Sequence, residues 1–403
     1  MRSGRIPGEM SILKERFDVA VIGAGPAGSM AAKYAAKSGA NAVILEEHPA
    51  VGWPVECAGL LGLGALAESE LPDSSFVLRK IKGAAIYSPG GNRLDFKAKD
   101  PRASVVDRRL FDRAAACEAL HEGVEMRLCS PVRRIRREGD ESVLSLGGGD
   151  EIRASIVISA EGVRGRLARQ AGIMPPELVL SGAQVEVPFA VEDPESLEVH
   201  LGAAPGLFAW VIPTGEETAR IGLCARERGC EHLKRFLGQE VIRKRILGSA
   251  TTINVGGLPL GPPPVTVAHG LLVVGDAAGQ VKPTSGGGIY PGLVAAKIAG
   301  GVAAAAAMEG DGSAQRLQEY DRIWRASLGR ELEIGMRANR MLNRMSAKEC
   351  DELVNYLAGR PRLIKTIEEH GDIDRPSSLM IKMLFHLDWD GLKLAGLLRY
   401  ALG

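Results

Sequence analysis

The residues of this chain that can do chemistry gather in a few short stretches. In "VIGAGPAGS", Gly23, Gly25 and Gly28 form GxGxxG, with Ala27 inside the motif. The first glycine permits a tight turn, the second lets backbone approach a pyrophosphate, and the third allows a helix to pack close on a strand; the helix N-terminus adds partial positive charge. Glu46, followed by Glu47, stands where a carboxylate accepting hydrogen bonds from a ribose is expected, and an acid there disfavours a 2′-phosphate. Far downstream, "GLLVVGDAAGQVKPTSGGGIYPGL" puts Asp276 after an apolar run, where it can hold ribityl hydroxyls, cap a helix, or do both. Gly286, Gly287 and Gly288, next to Ile289, would expose amides that favour negative charge on a reduced ring system. The two glycine elements together point to FAD rather than NAD. In "VVDRRLFDRAAA", Arg108 stands where a strand gives way to a helix, and its guanidinium can reach a flavin pyrophosphate or adenosine, or make a surface salt bridge.

A different chemistry is offered by "GWPVECAGLL", residues 52–61, in which Cys57, with Ala58 beside it, follows a proline turn. Such a cysteine is either a small buried hydrophobe or a working thiol. In "PGLFAWVIP", residues 205–213, Pro205, Phe208, Trp210 and Pro213 are spaced so that the two aromatics can share a strand face, as a wall for an apolar substrate or as ordinary sheet core.

Hydrophobic period predicts the elements that must position these residues. "FDVAVIGAGPAGSMAAKYAAKSGANAVILEEH" reads as a βαβ unit, residues 81–97 are β-patterned, 107–122 are helical, and strands follow between 124 and 159. Residues 181–225 alternate as an antiparallel sheet, "GLLVVGDAAG" returns to a buried parallel strand, and nearly everything after 290 is helical. The order predicts an α/β chain, α+β overall. A Rossmann-like FAD-binding domain lies in three pieces (14–70, 100–175 and 255–305), an inserted antiparallel β-sheet substrate domain in two (71–99 and 176–254), and a helical C-terminal region spans 306–403. Fifty Lys and Arg against 49 Asp and Glu leave a net charge of +1 over 403 residues, so nothing points to a nucleic-acid partner. The six cysteines lack zinc-site spacing, which predicts no metal and a reducing cytoplasm; Cys224 and Cys230 can be imagined as a redox pair, but free thiols are expected. No apolar stretch precedes Phe17, so no secretory signal is expected, and residues 1–13 read as a loose tail. "GLVAAKIAGGVAAAAAM", which carries Lys297, suits a buried helix better than a membrane span.

The cofactor elements resemble the FAD-dependent monooxygenase and reductase superfamily of the p-hydroxybenzoate hydroxylase type. Within it, "GWPVECAGLL" is similar to the cysteine-containing segment of the geranylgeranyl reductase family, and "PGLFAWVIP" to that family's PxxYxWxFP signature; the resemblance runs from Phe17 to about Gly300. Phe208 stands where the signature has tyrosine and Ile212 where it has phenylalanine, so any hydrogen bond of that tyrosine is lost unless Tyr290 or Tyr320 restores it. The resemblance implies a reductase that saturates geranylgeranyl chains of an isoprenoid, archaeal-type ether lipid or its diphosphate precursor, with Phe208, Trp210, Pro213 and Tyr290 at the substrate. An isolated alkene then needs a hydride at one carbon and a proton at the other. A thiol, with a reference pKa near ~8.5, stays protonated at neutral pH, and apolar surroundings would keep it so; Cys57 is thus either the acid or a lining residue. The alternatives are an FAD monooxygenase or halogenase, and a non-catalytic redox sensor. Lys33 on the helix and the single tryptophan of "FAWVIP" speak against a halogenase. The electron donor is left open among NAD(P)H, ferredoxin and a reduced deazaflavin. The last segment, 379–403, can rest on a membrane surface or pack as a capping helix, so the expected location is cytoplasmic with peripheral membrane contact left open.

Overall fold

Residues 15–72 and 75–384 are described by the computed structural model of the chain. The apolar run after residue 16 is buried on both sides, as parallel strands covered by helices must be. It forms the strand Glu15–Ile22, which pairs in parallel with Ala42–Leu45 on one side and Glu151–Ser159 on the other. Glu125–Arg127 and Leu271–Val273 extend this sheet in parallel at either side, Val267–Ala268 adds an antiparallel edge beyond the latter, and the hairpin Val132–Glu138 and Glu141–Leu146 joins it antiparallel, giving eight strands. The first crossover is the helix Pro26–Lys37, opened by Pro26 at its first turn and built from small residues. Its alanine face packs on the helix Ile289–Glu309, the one helix among the described residues that is long and apolar enough to cross a membrane. Most of that helix is buried within the protein, as expected.

The second sheet has seven strands in the order Thr252–Leu260, Leu178–Pro188, Thr218–Ala225, Gly206–Pro213, Ser196–His200, Gly83–Tyr87 and Arg93–Lys97. Two features differ from the expectation. Ser196–His200 and Gly83–Tyr87 run parallel, because they come from separate excursions of the chain rather than from one meander. The sheet also continues past residue 254 to Leu260, since Thr252–Leu260 pairs along almost the whole of Leu178–Pro188. A third, unforeseen sheet of three short strands, Leu60–Gly62, Ala103–Val106 and Val77–Ile81, lies next to the helix Arg108–His121. Beyond the long helix come Ala314–Trp324, Arg330–Leu342, Ala347–Ala358, Pro361–His370 and Pro376–Leu384. The expected N-terminal tail and the segment after 384, including most of the amphipathic stretch, lie outside the described residues.

Candidate active site

The cofactor half of the site follows from backbone that side chains would obstruct. Gly23 has φ +99°, and a Cβ on Gly28 would stand 1.9 Å from the Gly23 carbonyl oxygen, so the first helix can leave the first strand only over glycines. A Cβ on Gly25 would meet nothing within 4 Å: it would project into open space in the cavity. Glu46 is buried at the end of its strand, where Oε2 accepts the Ala24 amide at 2.8 Å and Oε1 the His48 amide at 2.9 Å. Across the cavity, the Gly275–Ala278 turn is held from behind. The Gly275 amide donates to Gln280 Oε1 at 2.7 Å, Gln280 Nε2 donates to the Tyr320 hydroxyl, and that hydroxyl donates to the Val273 carbonyl. Asp276 thereby faces the cavity, and among the described residues nothing donates a hydrogen bond to its carboxylate. Burial, opposed by Arg108 and assisted by Glu56, pushes its pKa up to about 6. Gly288 is required beside it, since a Cβ there would stand 2.7 Å from Asp276 Oδ1. The hydroxyl oxygens of Thr284 and Ser285 are buried without partners in the same loop. A nucleotide with a polyhydroxyl chain and a polar ring edge fits this donor and acceptor set.

Cys57 enters the same cavity on a loop pinned from two other elements. Gly59 has φ +75°, and a Cβ there would strike the Val106 carbonyl at 2.5 Å. The Gly59 amide donates to Cys57 Sγ at 3.3 Å. Arg220, on Thr218–Ala225, donates to the carbonyls of Ala58 at 2.9 Å and Val106 at 3.1 Å while paired with Glu186. Arg108 forms a largely buried i,i+4 pair with Asp112, Nε to Oδ1 2.9 Å, with Cys57 near enough for the guanidinium charge to reach it. Burial alone would lower the Arg108 pKa, but Asp112 and Cys57 raise it above its ordinary value. The thiol therefore accepts from an amide and lies near a cation, so its surroundings are not purely apolar. Cys224, expected from sequence as a free thiol, lines the cavity as well; burial, with Cys57 nearby as the second cause, pushes its thiol up to about 12. Cys230 is exposed on a helix.

The remaining wall is apolar. Phe208 and Trp210 meet edge to face with ring centroids 6.4 Å apart, and the Trp210 indole N–H is satisfied by Gln184 Oε1 at 3.0 Å, leaving the ring as hydrocarbon surface. Ile86, Phe96, Leu197, Val199 and Ile212 continue that surface. Pro213 does not: three residues on from Trp210, an odd step in a strand, it faces a separate cavity of about 330 Å³ on the other side of the sheet, and Ile212 takes the place assigned to it. Tyr290 lines the main cavity with its hydroxyl accepting from Arg375 Nη2 at 2.9 Å, whereas Tyr320 is spent on the Gln280 network. Apart from Pro213, the residues assigned from the sequence to cofactor binding, catalysis and the substrate border one continuous cavity of about 1050 Å³, at the upper end of the range for single-ligand pockets. Sequence reasoning missed Arg220, Gln280, Lys282, Asp374 and Arg375. Only Arg220 had a local signal, as a charge in the otherwise apolar run "TARIGLC".

A two-layer nucleotide fold with this cavity defines the chain as a flavoprotein. It superposes on a geranylgeranyl bacteriochlorophyll reductase-like protein of Thermoplasma acidophilum with a TM-score of 0.82 and 26% identity, covering 95% of this chain and 99% of that one. It also superposes on a flavoprotein/dehydrogenase of Cytophaga hutchinsonii with a TM-score of 0.63 and 17% identity, covering 93% and 100%, where the likeness is of fold alone. The chain belongs to the digeranylgeranylglycerophospholipid reductase family: it is 36% identical over 362 residues to digeranylgeranylglycerophospholipid reductase 2 of Methanothermobacter thermautotrophicus, covering 86% of this chain and 92% of the relative. The family model described as lycopene cyclase protein matches residues 18–199.

Proposed function

We propose that this chain is an FAD-dependent reductase that saturates the C=C bonds of geranylgeranyl chains in polar-headed isoprenoid lipids or their diphosphate precursors. The observation that carries the reading is the convergence of Cys57, both glycine elements and the Phe208–Trp210 surface on one cavity. Bound FAD supplies the hydride. The chain's own residues bind the hydrocarbon, exclude water and handle the proton. Each CH₂ removed from water against the apolar wall contributes about 0.8 kcal/mol, so a long chain is retained without polar anchors along its length. Cys57 gives its Sγ proton to one carbon of the double bond as the hydride reaches the other, which adds two hydrogens per turnover. The thiolate left behind would be stabilised by the Gly59 amide, with the Arg108 cation nearby. Asp276 would accept from ribityl hydroxyls, Glu46 from the ribose, and the amides of Gly287 and Gly288 would serve the flavin ring, whereas the Gly286 amide, expected to join them, is taken by the Lys282 carbonyl at 2.8 Å.

The test is anaerobic. Enzyme reduced with dithionite and given geranylgeranylated lipid is expected to yield products heavier by two hydrogens per step in mass spectra. A hydroxylated product in air, with no such mass gain without oxygen, transfers the assignment to a monooxygenase.

A further inference from the structure

The segment after the helix Pro361–His370 closes one side of the cavity, where Ile373, Asp374 and Pro376 line it. Asp374 is 2% exposed and is held from two directions. Its Oδ1 accepts from Lys282 Nζ at 2.7 Å, and its Oδ2 accepts the Ala65 amide at 2.9 Å, at the start of the helix Leu63–Ser69. Gly62 and Gly64 let the carboxylate approach, since Cβ atoms there would stand 2.2 and 2.8 Å from Oδ2. Lys282 is 4% exposed, donates a second bond to the Ile373 carbonyl at 2.8 Å, and passes so close to Gly287 that a Cβ there would lie 2.8 Å from its Cε and 3.1 Å from its Nζ. The Gly286 amide in turn donates to the Lys282 carbonyl at 2.8 Å. One buried ion pair, joining positions 92 residues apart, thus ties the C-terminal segment to the loop 286–288 and to the strand and helix that follow the cysteine loop.

We infer that Asp374 is a positioning residue that, by neutralising and tethering Lys282, fixes the charge beside the 286–288 amides and so sets the reduction potential of the bound flavin. The inference rests on the flavin reading above. Removing one member of a buried pair leaves the other charge uncompensated. An unpaired Lys282 ammonium favours the negative charge of the reduced ring, and an unpaired Asp374 carboxylate opposes it. The two single variants must therefore move the potential in opposite directions, which a merely structural role would not do.

The experiment titrates the flavin-loaded full chain against a redox dye. At a fixed dye potential, Asp374→Asn is expected to raise the ratio of reduced to oxidised flavin about tenfold, equivalent to about 30 mV for a two-electron couple. Lys282→Met is expected to lower it, and the Lys282→Met/Asp374→Asn double variant to return it close to the parent. Shifts of the same sign, or no shift, overturn the inference. Where Asp374→Asn purifies without flavin, occupancy decides: flavin regained in the double variant supports the pair's role, and a flavin-free double variant overturns it. A parent chain that itself purifies without flavin defeats the cofactor reading underneath.

Discussion

Gly25→Val separates the demands of the fold from those of the cofactor. Gly25 caps the first helix with φ −65° and ψ 175°, an extended conformation open to any L-residue, and its Cβ direction is free of protein atoms to 4 Å. Replacing glycine at such a position restricts the unfolded chain and stabilises by about 0.4–1 kcal/mol, so the flavin-free variant should melt no lower than the flavin-free parent. The same side chain occupies the space in which a pyrophosphate would meet the helix N-terminus. Loss of two hydrogen bonds to a charged group, at about 1.5–3 kcal/mol each, totals about 3–6 kcal/mol, or roughly 10²–10⁴-fold in flavin affinity. Gly28→Ala is the contrast, because its Cβ at 1.9 Å from the Gly23 carbonyl oxygen forces backbone apart. Overpacking costs about 1–3 kcal/mol, so this variant should lose melting temperature even without flavin. Visible flavin absorbance against protein concentration gives occupancy, and a thermal melt of the stripped protein gives stability. Parental occupancy in Gly25→Val, or a melt as depressed as that of Gly28→Ala, refutes the reasoning.

Cys57→Ala is expected to keep its flavin and lose about 10²–10⁴-fold in turnover of geranylgeranylated lipid, the range for removal of a general acid, with Cys57→Ser intermediate; parental turnover in Cys57→Ala makes the thiol a packing residue. Arg220→Met leaves the carbonyls of Ala58 and Val106 without their donor, at roughly 1–3 kcal/mol each, so turnover should fall much more than flavin occupancy, and equal falls in both would show that the loop is not what Arg220 holds. Asp276, raised to about 6 by burial, binds its proton more tightly in the folded flavin-free chain than when unfolded; its contribution is most favourable below its ordinary value near 3.8 and is lost as pH rises through about 6. Flavin hydroxyls that donate to the ionised carboxylate should accordingly bind more tightly as pH rises through that range, and Asp276→Asn should abolish this dependence in equilibrium titrations.

Sequence made legible what depends on local period or on a glycine's missing side chain. The first strand, the GxGxxG turn, the helix after Asp107 and the four strands between 178 and 225 fall where hydrophobic spacing put them. Parity failed once, at Pro213: the signature invites grouping its two prolines with its two aromatics, but a strand alternates every residue, and 210 to 213 is an odd step. The three-stranded sheet escaped because its strands are three to five residues long and are drawn from both sides of the 83–97 hairpin, too short for alternation to show.

What no period can reveal is which charge finds which partner. Arg108 was legible as a cation at a strand-to-helix junction, with a cofactor contact and a surface salt bridge as its two readings, and neither named the partner. The structure holds it against Asp112, one turn along its own helix, with Cys57 nearby. The surroundings of the cysteine are therefore set by residues from three separate elements. Arg220 comes from the second sheet to pin the backbone at Ala58, Gly59 supplies an amide from within the loop, and Arg108 supplies the charge. A thiol that only packed would gain nothing from a buried cation, whose desolvation costs several kcal/mol unless a negative charge meets it. Asp112 meets that need in the resting protein, and a thiolate formed transiently at Cys57 would feel the same positive charge. This gives the cysteine loop a physical reason to lie against this helix and not simply over the sheet.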